Sequence, residues 1–84
     1  MTTDHTSAHT SLSAMFAHGT AAHGFALHCE ATGWDPADPA WSMEDTIDEA
    51  IAWRHRVAGQ PHGDDPELVE KGRRTGRRVW MAAR

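Results

Sequence analysis

The chain of 84 residues has no tyrosine and no asparagine, a single cysteine and a single lysine, and no lysine or arginine at all before Arg54. One cysteine excludes an internal disulfide, which suits a reducing compartment. No apolar run approaches the roughly 18 residues of a membrane span, and no basic segment leads into an apolar one as in a secretory leader. The expectation is a cytoplasmic protein with no membrane partner. Core-forming side chains are scarce as well. Leu, Ile, Val and Phe together number ten, about 12 % of the chain, below the roughly 20 % at which strongly charged chains stop building a stable core. Fourteen alanines supply much of the remaining apolar content, and they favour helix without filling an interior. A Gly-x-Ser-x-Gly elbow, a Gly-rich phosphate loop and a Cys-x-x-Cys pair are all missing. An enzyme is therefore the least supported class, and no catalytic residue, metal or cofactor is expected.

Four tryptophans, Trp34, Trp41, Trp53 and Trp80, offset part of the deficit, since each can bury on the order of 200 Å². A domain this short buries little more than half of its unfolded surface, so further stability is expected from a larger protein partner or from self-association. Seven arginines against one lysine, with abundant Ala and Gly, suit a GC-rich bacterial or phage genome. Charge is divided along the chain more sharply than its net −4 implies. Eight carboxylates precede Arg54, whereas six of the eight basic residues lie between Lys71 and Arg84, where no side chain is acidic. Such division commonly marks a contact surface.

Periodicity and capping signals predict an all-α fold: a disordered arm over 1–10, then a single small helical domain with helices at about 11–32, 43–58 and 66–83, joined by Pro-containing connectors. In the first helix Leu12, Met15, Phe16, Gly19, Ala22, Ala26 and Leu27 fall on one arc, with Gly33 as its C-terminal cap. Gly19 and Gly24 are points at which it could break. Ser42 to Asp45 reads as a capping box that opens the second helix, and Asp65-Pro66 opens the third.

Three sites stand out. His18, His23 and His28 are five residues apart, which on a continuous helix turns successive side chains by about 140° and disperses them, so they cannot share a metal. Only His5 and His9 have a ligand-like spacing, and they lie in the arm. His23 falls on the apolar arc and Arg54 in the middle of the second helix's apolar face. Both need partners if buried, and a Glu30 to Arg54 contact between helices is expected. On the third helix Lys71, Arg73, Arg74, Arg77 and Arg78 oppose an apolar stripe that contains Gly72 and Gly76, small residues whose spacing lets another helix approach closely.

The preferred functional reading is a non-catalytic protein-interaction module: an accessory subunit, regulator or phage-type inhibitor. Its contact candidates are Trp41, Trp53, Arg73, Arg74, Arg77, Arg78 and Trp80, of the residue types that most often anchor interfaces. The alternative is a nucleic-acid-binding regulator that uses the basic helix over 66–84. Metal binding by the histidines ranks third.

Overall fold

The computed structural model describes residues 11–60 and 64–84. The expected arm over 1–10, with its His5 and His9 pair, lies outside the described residues. Three α-helices and one short 3₁₀ turn make up the described part, with no strand among those residues: the turn Ser13–Met15, α1 (Ala21–Thr32), α2 (Met43–Val57) and α3 (Pro66–Ala82). The fold is all-α, as expected.

The first helix is shorter than its periodicity suggests. Gly19 adopts φ 87°, a left-handed conformation that ends any helix running through it. Thr20 then opens α1, its Oγ1 accepting the N–H of His23 at 3.2 Å. Upstream, among the described residues, only Ser13–Met15 form a helical turn, and Glu30 tethers it by accepting from Ser13 N–H at 2.9 Å and from Ser13 Oγ at 3.0 Å. The break resets the helical phase. Phe25, which is off the expected arc, becomes fully buried, while Met15 and Leu27, expected on the core side, are 48 % and 47 % exposed.

The other helices begin and end close to their signals. Ser42 and Asp45 form both bonds of the capping box, Asp45 N–H to Ser42 Oγ at 3.1 Å and Ser42 N–H to Asp45 Oδ2 at 2.9 Å. Asp65 Oδ1 accepts from Glu67 and Leu68 N–H at 2.9 and 3.3 Å, with Pro66 in the first helical position where no N–H is needed. The connector between α1 and α2 carries two Asx turns, at Asp35 and Asp38, which fold Trp34 and Trp41 onto each other at 4.2 Å between ring centroids.

Packing of α2 on α3 dominates the molecule. It depends on the two glycines of α3. A β-carbon at Gly72 would stand 2.6 Å from Ile51 Cα, and one at Gly76 would stand 2.7 Å from Ile47 Cα. The helices therefore touch backbone to backbone, inside one chain. A small core of Phe16, Ala22, Phe25, Ala26, Cys29, Ala50 and Val79 lies between α1 and this pair, edged by Leu12, Trp34, Trp53 and Ala82. Among the described residues no helix is long and apolar enough to cross a membrane.

Candidate interaction face

Helical geometry divides α3 cleanly. Leu68, Gly72, Thr75, Gly76 and Val79 are buried, whereas Arg74, Arg77, Arg78 and Met81 are exposed and span an arc of about 100° on the opposite side. Met81 is 61 % exposed, the most of the large apolar side chains noted here. It lies on the same arc, one turn beyond Arg77 and Arg78. Glu67 and Glu70 occupy the N-terminal end of the same face, so that face is acidic at one end and basic at the other.

The arginines are not neutralised by α2, although α2 carries the acidic residues best placed in sequence to do so. Glu49 instead accepts from His28 Nε2 at 2.8 Å and lies 4.0 Å from Arg56, while Asp45 caps its own helix. Among the described residues no carboxylate comes within 4.0 Å of Arg74, Arg77 or Arg78; the one ion pair of α3 joins Arg73 to Glu70 at 4.0 Å. The sequence suggests Glu67 with Lys71 and Glu70 with Arg74, and neither of those pairs forms. Arg78 rests over the Phe16 ring, its guanidinium carbon 5.5 Å from the ring centroid.

The tryptophans lie elsewhere. Trp53 is half-buried against Phe25, 5.6 Å between ring centroids, and belongs to the rim of the core. Trp41 stacks on Trp34, and Trp80 is covered by Arg84, whose guanidinium carbon is 3.9 Å from the ring centroid. The indole N–H groups of Trp34 and Trp80 are buried without an acceptor among the described residues.

The polar residues of α1 and α2 are arranged differently from the sequence expectation. Glu30 is taken by Ser13, so the expected Glu30 to Arg54 contact does not form; the helix break at Gly19 places Ser13 beside Glu30 first. His23 is half-buried, its ring centroid 4.3 Å from that of His18 with the planes tilted by 31°, two rings that a continuous helix would have held apart. His28 has its side chain only 14 % exposed, hydrogen-bonded to Glu49 and stacked on Phe25 at 5.8 Å. Among the described residues no three His, Cys, Asp or Glu side chains gather as a metal would require.

His55, unremarked in the sequence beyond its place near a helix end, is 2 % exposed. Its Nδ1–H donates to Ile51 O at 2.8 Å and its Nε2 accepts from Asp65 N–H at 3.3 Å, which ties the end of α2 to the start of α3. Cys29 is 1 % exposed. Burial first, then the negative charges of Glu49, Glu30 and Asp35, push its thiol up to about 12, so it is an inert core group at neutral pH.

Comparison of the chain with family models, curated proteins and solved structures finds no match.

Proposed function

We propose that the chain is a non-catalytic interaction module, an accessory subunit or regulator that docks on a larger protein through the exposed face of α3. The observation that carries this reading is the exposure of Met81 on the same arc of α3 as Arg74, Arg77 and Arg78, none of which has a carboxylate within 4.0 Å among the described residues. Unpaired guanidiniums seek anionic groups, and an exposed thioether on the same arc offers an apolar contact that a phosphate backbone does not use. A protein surface with a carboxylate-rimmed apolar patch is complementary to both. Net charge −4, together with Glu67 and Glu70 on the same face, disfavours a polyanion. The row of arginines by itself keeps nucleic acid as the second reading.

The test is affinity purification of the tagged chain from its host, with and without nuclease, beside a variant carrying Arg74→Ala, Arg77→Ala and Arg78→Ala. A protein retained after nuclease treatment by the native chain and lost by the triple variant is the expected result. Recovery of nucleic acid alone, with affinity falling steeply as salt rises, would replace this reading by the second one.

A further inference from the structure

Arg54 is half-buried, and among the described residues no carboxylate comes within 4.0 Å of it: Glu30 goes to Ser13, and Glu49 goes to His28 and Arg56. It faces a hollow of about 330 Å³ whose wall also includes Lys71, Arg74 and Thr75. Through Ala21, Arg74 and Thr75 this hollow adjoins a second of about 330 Å³ that is flanked by Arg78. Neither is lined by an acidic residue. Four cationic side chains from two helices thus surround one concave region.

The crevice also contains hydrogen-bond donors. Thr20 Oγ1 is already engaged, donating to Ala17 O and accepting from His23 N–H, and Thr75 Oγ1 donates to Lys71 O. Ala21 and Ala22, which line the crevice in the first turn of α1, have N–H groups with no acceptor among the described residues. The positive charge does not depend on them; they add fixed donors to a cluster defined by Arg54, Lys71, Arg74 and Arg78.

We infer that this crevice binds a phosphoryl oxyanion, either free phosphate or the terminal phosphate of a small ester. A lone carboxylate carries one negative charge and two oxygens, and it would leave most of the cationic cluster uncompensated. A phosphoryl group carries close to two charges and three or four acceptor oxygens, enough to engage guanidinium forks and backbone N–H groups together. The half-buried Arg54 and Lys71 make the site more than a solvated arginine face. The inference goes beyond the docking reading and does not rest on it, because Arg54 and Lys71 are off the exposed face of α3, and Arg77 and Met81 are outside the crevice.

The experiment is an amide NMR titration of the full chain with inorganic phosphate and with a nucleoside monophosphate, each against chloride at matched ionic strength. Saturable shifts at the Ala21 and Ala22 amides are expected, with affinity at least tenfold weaker in Arg54→Gln with Lys71→Gln, and unchanged in Arg77→Ala. Tighter binding of the monophosphate identifies an ester as the ligand, and equal binding identifies free phosphate. If circular dichroism finds the double variant unfolded, Arg74→Gln, at an exposed position, takes its place. Equal shifts in chloride, undiminished affinity in the variants, or equally tight binding of an oligonucleotide without a terminal phosphate would overturn the inference. Loss of partner capture in Arg77→Ala with phosphate binding intact would support both sites as separate, whereas absent phosphate binding in a native chain that still captures its partner would overturn this inference alone.

Discussion

Cys29 and Glu30 are neighbours in sequence with opposite roles. The thiol points into the core and titrates near 12 in place of 9.0, because burial and then three nearby carboxylates disfavour its anion. The sign of the consequence follows from linkage. Between these values the unfolded chain loses a proton that the folded chain keeps, so the Cys29 contribution is complete below about pH 9 and declines as pH rises toward 12. Urea unfolding midpoints between pH 8 and pH 10.5 should fall more steeply for the native chain than for Cys29→Ala; equal slopes would refute the shift. The Glu30 carboxylate serves a structural end instead, tethering Ser13 from 17 residues away. That choice could not be read from residue type, since Arg54 is the stronger electrostatic partner on paper. Chain geometry upstream of Gly19 brings Ser13 within reach, and among the described residues Arg54 is left without a carboxylate partner.

At the scale of the element, the two glycines of α3 are where local propensity and packing disagree. Alanine at either position would favour the isolated helix by about 1 kcal/mol. In the folded chain its β-carbon would meet Ile51 Cα at 2.6 Å or Ile47 Cα at 2.7 Å, and backbone atoms cannot rotate away. Gly72→Ala and Gly76→Ala should each destabilise by about 2 kcal/mol or more, through forced separation of α2 and α3. Chemical denaturation checks this; unchanged stability would mean that the helices part without loss. The glycine spacing was legible in the sequence as a close-approach stripe, but whether α1, α2 or another chain fills it was not. Capping boxes, by contrast, are complete within four residues, and this is why the starts of α2 and α3 were legible. The start of α1 is not legible in the same way, because the apolar arc runs through Gly19 and hides Thr20, an N-cap residue type, inside a longer periodic stretch.

For the whole molecule the limiting quantity is core. Phe25 is the largest fully buried side chain, at the centre of a cluster made mostly of alanine and other small residues. Removing it in Phe25→Ala should cost about 3–5 kcal/mol, comparable to the entire stability of so small a domain. The helical circular dichroism signal should largely disappear at 25 °C, and a variant that kept a sharp thermal transition would point to stabilisation from outside this core. The division of charge has a similar global meaning. Acidic α2 and basic α3 pack together, yet their closest contacts are made by glycine, alanine, threonine and isoleucine and not by ion pairs. Arg74, Arg77 and Arg78 are thereby left without a carboxylate within 4.0 Å among the described residues.

Composition, capping and periodicity suffice for the helical class, for the extents of α2 and α3 to within a residue, and for an arginine face opposite a small-residue stripe. Each of these depends on interactions within a few residues of chain, where spacing along the sequence equals position in space. The burial of Phe25 and His55, the partner of Glu30, the approach of His18 to His23, and the assembly of Arg54 with Lys71 and Arg74 depend on the left-handed turn at Gly19 and on how closely α2 meets α3. Those are long-range geometric facts, and a change of one residue in where α1 begins rotates its faces by about 100°.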